Sequence, residues 1–413
     1  MRCAPPAGRG FSPLDEALAL RPGRYSPYVQ QCVVRLGTWL PFEQVPEALA
    51  WFTQVPVGRE TARRLTERAG AALVAPEPAR VEQLEQDWPA PVAPLTLHQL
   101  SVDGAMVPLV HGEWAELKTL AIGRVVPRGG EPHATELSYF SRLADADTFR
   151  RLAWVETHRR GVTVAPRVCA VVDGAEWCQT FLTRHCPDAV RILDFPHAAG
   201  YVSAAAQAMF GPGSPAASEW LSAHLHTLKH ADPTPVLAAL RARPVAESLT
   251  PEAAAEKRDS AVAYLEARLP QLQYAQFRAA GYPIGSGAVE SANKLVVEAR
   301  LKGSGMHWAR SNVNPMVALR ALACSDRWPE GWTPIWAQWG AEQAAGRRAR
   351  RAARPPLAPP SAPPPAPPAQ ATARRTVARL RRGRGTGRRP AAEHPWRKRL
   401  LRPRPSELTT AKT

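Results

Sequence analysis

Three acidic residues occupy positions from which a protein could present them to a metal ion. Asp103 and Asp173 each precede a glycine and follow an apolar segment, in SVDGA and VVDGA. Glu290 lies in YPIGSGAVESANKLVVEARLKGSGMHW, where residues 290–301 predict a helix between two Gly-Ser-Gly segments. Phosphodiester chemistry commonly uses two oxygen-ligated ions about 4 Å apart. Two strand carboxylates and one helix carboxylate therefore predict a site for Mg²⁺, or Mn²⁺ with its similar ligand preference.

Further polar residues lie near these three in the sequence. Asp194, in ILDFPHA, also follows an apolar run, and His197 lies one helical step beyond it. Asn293 shares a helix face with Glu290, so we expect it beside that carboxylate. Gly285 and Gly287 would let the backbone approach a phosphate or turn sharply into the helix, whose N-terminal amides favour an anion. The candidate contacts to backbone phosphates on this helix are Lys294, Arg300 and Lys302.

Each of these features also has an ordinary structural explanation. The Asp-Gly dipeptide is a common hairpin turn, which applies to Asp103 more than to Asp173 because a long helix-rich segment follows Asp173. A glutamate in the first turns of a helix is stabilised by the helix dipole by about 0.3–1 kcal/mol. On the residues alone, both explanations stay open beside the metal site.

The segments around the aspartates predict an α/β fold. LTLHQLSVDGAMVPLV, AELKTLAIGRVV and ATELSYF are typical of three meander strands, and ADADTFRRLAWVETHRRG of an amphipathic helix. APRVCAVVDG and AVRILDF are short and almost wholly apolar, as buried parallel strands are. This order is typical of an RNase H-like fold. We expect that core at residues 91–330, with a helical insertion at about 205–280.

The N-terminal region, residues 1–90, predicts a helical DNA-binding domain. In PFEQVPEALAWFTQVPVGRETARRLTERAG, an apolar stripe of Phe42, Val45, Leu49 and Phe52 predicts a first helix, followed by a second at about residues 58–69. The second helix would carry its basic residues on accessible faces and could enter a major groove, as in a helix-turn-helix. A helical hairpin with a solvated basic face is the alternative. The candidate DNA contacts are Arg59, Arg63 and Arg64, with Arg68 on the same helix.

The positive charge of the 413-residue chain is concentrated at its C-terminal end. Residues 341–413 hold 19 of the 53 Lys and Arg residues but 3 of the 36 acidic ones, against a net charge of +17. Nine of the fourteen residues 355–368 are proline, which predicts an extended or disordered linker. We expect a disordered basic tail at 341–413 that attracts DNA without reading its sequence. Compositional drift toward Arg, Ala and Pro is the alternative.

Composition also excludes several classes of protein. No apolar run is long enough for a membrane span, and no G-x-x-x-x-G-K-[ST] loop of a helicase or ATPase is present. The six cysteines are scattered without paired spacing, which favours a reduced cytoplasmic setting. We expect Cys169 and Cys178, which flank an apolar run, to be buried thiols.

The segment from Tyr282 to Trp308 closely resembles the glutamate-bearing motif of bacterial insertion-sequence transposases of the ISKra group, which are DDE enzymes related to Mutator-like transposases. SVDGAMVPL, VVDGAEW and ILDFPHA resemble the other blocks of that family in the same order, FSPLDEALAL with YSP its N-terminal block, and HPWRK its C-terminal one. The resemblance implies a Mg²⁺-dependent transposase with an RNase H-like core. Asp103, Asp173 and Glu290 match its catalytic carboxylates, and Asp194 and His197 an accompanying motif.

The chain departs from the resembling family at its start. Relatives often begin with a cysteine-rich zinc ribbon, whereas Cys3 stands alone here and Ala7 lies near the position of a partner cysteine. An inactive or regulatory DNA-binding remnant is therefore one alternative, and an RNase H-like nuclease that cuts without joining is another. For the transposase we expect double-stranded DNA as partner, namely terminal inverted repeats and target DNA. Synapsis of two ends implies a homodimer or larger assembly on DNA, in the cytoplasm and associated with the nucleoid.

Overall fold

A five-stranded mixed sheet forms the centre of the part of the chain that the structure, a computed structural model, describes: residues 25–87, 91, 96–242 and 251–352. Its strands are β1 His98–Pro108, β2 Trp114–Arg128, β3 Glu131–Arg142, β4 Val168–Val172 and β5 Val190–Leu193. The spatial order is β3-β2-β1-β4-β5. β1, β2 and β3 form an antiparallel meander, and β4 and β5 run parallel to β1. The predicted α/β class and the predicted order of strands are confirmed.

Helices cover the sheet and extend the described chain at both ends. They are α1 Pro27–Trp39, α2 Val45–Thr53, α3 Arg59–Val74, α4 Glu77–Gln86, α5 Ala146–Leu152, α6 Trp154–Arg159, α7 Glu176–His185, α8 Phe195–Phe210, α9 Pro215–His230, α10 Thr234–Ala242, α11 Pro251–Glu266, α12 Tyr274–Ala279, α13 Gly287–Ala292, α14 Arg310–Cys324 and α15 Trp328–Ala352. α13 continues without interruption as a π-helix, Asn293–Glu298, and a last α-helical turn, Ala299–Leu301. The segment predicted as one helix around Phe149 is the pair α5 and α6, which meet at Ala153.

The apolar sequence of β4 follows from burial on both faces of the sheet. Its five residues, VCAVV, are all buried. Cys169 and Val171 pack into a core with α8 and α11, whereas Ala170 and Val172 pack into a second core with α5 and α7. Successive side chains of a strand point to opposite faces, so a strand covered on both sides needs apolar residues at every position.

The N-terminal helices pack on the C-terminal part of the described chain. α3 lies against α14 so closely that a Cβ at Gly70 would come within 2.1 Å of the Pro315 carbonyl oxygen. Of the predicted apolar stripe on α2, Val45 and Leu49 are buried, but Phe52 is 86% exposed, so the stripe does not lie wholly on the buried face. The 3.6-residue period identified the helix, but α2 is buried over a narrower face than the stripe implies.

The observed secondary structure bears on three further expectations: the two Asp-Gly pairs, the helical segment and the start of the tail. Asp103 and Gly104 lie inside β1, and Asp173 and Gly174 join β4 to α7, so neither Asp-Gly pair is a hairpin turn. Residues 203–280 contain only helices and turns where the structure describes them, as predicted. Residues 341–352 belong to α15, so the prediction that the disordered tail begins at 341 is wrong.

Other expectations fall on residues that the structure does not describe. The N-terminal block with Cys3 and Ala7, the proline-rich segment 355–368 and the basic residues beyond Ala352 all lie outside the described ranges. Among the helices that are described, none combines the length and the hydropathy that crossing a lipid bilayer requires.

Candidate active site

The two candidate aspartates lie on neighbouring strands of the sheet. β1 pairs in parallel with β4, and the last paired residues are Leu100 and Ala170. Three residues further along each strand, the same register brings Asp103 level with Asp173, the first residue after β4. Asp103 is in the middle of β1, where it still pairs with Thr119 of β2. The sheet therefore sets the two carboxylates beside each other where β1 continues past the end of β4.

The Asp103 carboxylate is held by two hydrogen bonds and lies near two other carboxylates. The Gly104 backbone N–H donates to Oδ1 at 2.7 Å, and Asn293 Nδ2 donates to Oδ2 at 2.8 Å. Burial raises the pKa of Asp103, and the negative charges of Asp173 and Glu290 raise it further against the effect of these hydrogen bonds. Acidic groups from the end of β4 and from α13 thus both act electrostatically on Asp103 of β1.

Asp173 is oriented by the start of α7. The Ala175 backbone N–H donates to its Oδ1 at 3.1 Å, and Cys178 Sγ donates to the same oxygen at 3.0 Å. Cys178 is buried, as predicted for it and for Cys169. Burial, followed by the charge of Asp173, raises the pKa of the Cys178 thiol, so it stays protonated and serves as a donor.

Glu290 lies in the first turn of α13 with its side chain exposed. Ser286, in the turn before the helix, connects it to Asp194. The Ser286 hydroxyl donates to Glu290 Oε1 at 3.3 Å, and the Ser286 backbone N–H donates to Asp194 Oδ1 at 2.7 Å. The second carboxylate oxygen of Asp194 caps α8 by accepting from the His197 N–H at 3.1 Å. Asp194 therefore positions the turn that leads into Glu290.

The two residues of the accompanying motif are both engaged in packing. Asp194 is 5% exposed, and its pKa is raised by burial against the hydrogen bonds from Ser286 and His197. The His197 ring packs against Tyr201 at 5.3 Å and Tyr264 at 6.0 Å between ring centroids. Asp173 follows β4, the strand next to β1, whereas Asp194 follows β5, one strand further away, so Asp173 is the aspartate placed beside Asp103.

Asn293 lies beside the Asp103 carboxylate, whereas its helix face predicted a position beside Glu290. It begins the π-helical segment, is 7% exposed and donates to Asp103, while its Oδ1 is buried without a hydrogen-bond partner among the described residues. A π-helical turn adds a residue to the usual repeat and is common at functional sites. The segment lets Asn293, Val296 and Val297 all be buried while Glu290 stays exposed.

The glycines before α13 border open space. A Cβ at Gly285 or Gly287 would meet no atom within 4 Å, and neither residue has a positive φ. A sharp turn is therefore not the reason for glycine at these two positions. The open space beside Glu290 leaves room for a ligand to approach the backbone closely.

Two residues of the helical segment reach the Asp173 turn, and sequence reasoning missed both. A Cβ at Gly174 would lie 2.0 Å from Tyr264 Oη and 2.1 Å from Arg268 Nε. Arg268 Nη2 donates to the Gly174 carbonyl at 2.7 Å, and its guanidinium lies 3.8 Å from the Tyr264 ring centroid. Nothing in YLEARLP signals this contact, because it joins residues 94 positions apart.

The predicted DNA-contacting cations lie in unlike environments. Arg59, Arg64 and Lys294 are exposed. Arg63 is paired with Glu60 and Glu67, and Lys302 with Glu298. Arg300 is 2% exposed, so it does not extend from the helix surface. Burial beside aromatic rings overrides the helix-surface position that the sequence indicates.

The residues around Asp103 fit a hard cation by their chemistry. Asp103, Asp173, Glu290 and the unpartnered Oδ1 of Asn293 are oxygen donors of the kind that Mg²⁺ and Mn²⁺ prefer. Among the described residues no three His, Cys, Asp or Glu side chains already converge as a ligand set. Each carboxylate is instead turned toward a local donor, as expected of like charges that repel one another.

No protein-family model matches the chain, and no curated protein matches it either.

Proposed function

We propose that this protein is a DNA transposase of an insertion sequence, which cleaves and joins DNA strands at terminal inverted repeats by metal-dependent DDE chemistry. The observation that carries the proposal is geometric: the register of β1 and β4 sets Asp103 level with Asp173, and Asn293, three residues after Glu290, donates to Asp103 at 2.8 Å. A buried carboxylate beside two others is costly unless a cation neutralises it. The same three residues match the catalytic positions of the resembling family.

The order of the sheet supports an RNase H-like core as the finer description of the fold. The meander β1–β3 followed by two parallel strands is the order expected of that fold. The helices α8 to α12 stand where the helical insertion is proposed, and Arg268 links them to the Asp173 turn. α1 to α3 would contribute to recognition of DNA, with Arg59 and Arg64 exposed on α3.

The residues of the site have separate roles in the proposed reaction. Asp103, Asp173 and Glu290 would hold Mg²⁺ or Mn²⁺, which when bound lowers the pKa of the attacking hydroxyl group and stabilises the leaving oxygen. Asn293 positions the Asp103 carboxylate through its Nδ2 donor. Ser286 and Asp194 position the first turn of α13. The open space at Gly285 and Gly287 admits the phosphate backbone beside Glu290.

The decisive experiment compares two glutamates of one helix. Glu290→Gln keeps size and removes the charge that would hold the ion, whereas Glu298→Gln makes the same change where the glutamate pairs with Lys302. We expect Glu290→Gln to lose strand cleavage and strand transfer while retaining binding to the inverted repeats. The Glu298→Gln enzyme should cleave within a few-fold of wild type. Both are measured on a labelled inverted-repeat duplex at equal folded concentration.

Other outcomes would point elsewhere. If both variants cleave normally, Glu290 does no more than interact with the helix dipole, an effect of about 0.3–1 kcal/mol. Metal-dependent cleavage without joining in the wild type would identify a nuclease instead of a transposase. Sequence-specific binding with no cleavage in any divalent metal would identify a regulatory or inactive protein.

A further inference from the structure

A second candidate site lies near the opposite end of the Glu290 helix. A cavity of about 520 Å³ opens between the start of α3 and the segment that follows residue 301. Three arginines line it, Arg59 and Arg63 from α3 and Arg300 from the last turn of the helix. A pocket of this size is in the range that holds small ligands. The arginines come from distant parts of the sequence, so only the fold brings them together.

Arg300 is a buried cation with an incomplete set of partners. Its Nε donates to the Gly37 carbonyl at 3.2 Å, and its Nη1 lies 3.8 Å from Met306 Sδ. Its Nη2 is buried and, within the described part of the chain, has no hydrogen-bond partner. The guanidinium packs 4.6 Å from the Phe42 ring centroid and 5.0 Å from that of Trp308. Burial, then the neighbouring Arg320, lowers the pKa of Arg300 to about 10.

The carboxylates of the cavity do not neutralise Arg300. Glu67 accepts from Arg63 at 2.8 Å through one oxygen and from Asn312 at 2.9 Å through the other. Glu43, the second acidic residue of the lining, is exposed. A buried guanidinium without a carboxylate is costly, and an anion in the adjoining cavity would reduce that cost.

We propose that this cavity binds a phosphate group of a DNA strand. Guanidinium groups bind phosphate oxygens with paired, charge-assisted hydrogen bonds. Of the three that line the cavity, Arg63 is paired with Glu60 and Glu67, which leaves Arg59 and Arg300 to bind the phosphate. That the phosphate belongs to DNA rests on the proposed function; that the cavity binds phosphate rests on the arginines alone. Arg300 follows Glu290 by ten residues of one helix, which is roughly 15 Å at 1.5 Å per residue.

The test compares two exposed arginines that differ in their relation to the cavity. Arg59→Glu changes a cavity residue, and Arg80→Glu makes the same charge change on α4, outside the cavity. The first probe is inorganic phosphate, read as the rise in Tm over chloride at equal ionic strength. The second is the dissociation constant of a short fluorescent oligothymidine. Both are measured in EDTA, so that divalent metal at the carboxylates contributes nothing.

We expect phosphate to raise the Tm of wild type and Arg80→Glu by a saturable amount that is absent in Arg59→Glu. Oligothymidine should bind Arg59→Glu at least tenfold more weakly than Arg80→Glu. Equal responses of the two variants would overturn the proposal, because general electrostatics would then explain them. A phosphate response specific to Arg59 with equal oligothymidine binding would overturn its assignment to DNA.

Failure of the phosphate site can be distinguished from failure of the proposed function. If Arg59→Glu and Arg80→Glu respond equally but cleavage still requires Glu290, the phosphate site is rejected and the transposase proposal stands. Absence of cleavage in every protein, with the Arg59-specific effects intact, would reject the transposase and leave the phosphate site.

Discussion

The two ends of the Glu290 helix accumulate charge of opposite sign. At its start, Glu290 is exposed, and its charge acts on Asp103 together with that of Asp173, so negative charge accumulates there. At its end, Arg300 is buried with no carboxylate beside it, so positive charge accumulates. Both signs agree with the helix dipole, which favours an acidic first turn and a basic last turn. The helix dipole stabilises a charge by about 0.3–1 kcal/mol, which is less than the free-energy cost of burying an unpaired charge.

Under the two proposals made above for the carboxylates and the cavity, each end is completed by a ligand of opposite charge. The first end would take a divalent cation and the second a phosphate. Nucleic acid with its metal ions supplies both, and one rigid helix would fix their separation. Substitutions at each end test whether loss of charge at one end affects the function of the other.

The largest effect is expected at the carboxylate end. Asp103→Asn removes the charge of the most constrained of the three carboxylates, and metal-dependent cleavage should fall by about 10²- to 10³-fold, corresponding to several kcal/mol of transition-state stabilisation. Asp147→Asn, which changes an exposed carboxylate paired with Arg150, is the control and should cleave normally. Single-turnover cleavage rates measure the difference. Equal rates would show that Asp103 has no part in the reaction.

A smaller effect is expected where Asn293 positions Asp103. Asn293→Ala removes the Nδ2 donor and should reduce cleavage about 10- to 100-fold, as loss of a residue that orients a metal ligand does. The concentration of Mg²⁺ needed for half-maximal cleavage should rise as well, which a purely structural role would not cause. Ser291→Ala, an exposed change on the same helix, is the matched control. An unchanged Mg²⁺ requirement would remove Asn293 from the site.

At the arginine end, the chemistry should survive the loss of charge. Arg300→Met fills similar space without a buried cation, and replacement of buried ionic groups by apolar ones is often close to neutral for stability. We expect cleavage at saturating DNA to stay within tenfold of wild type, while stabilisation by inorganic phosphate disappears. Thermal unfolding with and without phosphate tests this. A cleavage defect as large as that of Asp103→Asn would show that the two ends are not independent.

The smallest effect concerns Asp194 and the pH dependence of stability. Because burial raises its pKa, the folded protein loses stability as pH rises from the ordinary value of an aspartate through the raised one. Asp194→Asn removes that loss and keeps a residue suited to capping α8. Its Tm relative to wild type should therefore increase with pH and then level off.

Asp232 provides a control of opposite sign. Hydrogen bonds from Thr234 lower the pKa of Asp232, so its ionised form stabilises the folded protein. Asp232→Asn should become less stable relative to wild type as pH rises through the lowered pKa. If both variants shift in the same direction, burial is not what governs Asp194.

Local pattern in the sequence determined much of the framework. Apolar runs located β4 and β5, alternating and apolar segments located the meander, and helical periodicity located the run of helices after residue 203. These features depend on neighbours within a few residues, which the sequence displays directly.

Only the tertiary structure shows which residues, distant in the sequence, surround a polar side chain. The sequence placed Arg300 on a helix surface, but Phe42, Trp308 and Gly37 enclose it, and α3 adds the arginines that make a cavity. Arg268 reaches Gly174 across the fold in the same way. Such contacts are fixed by how whole elements pack, so a helical period predicts which face a residue occupies but not what covers that face.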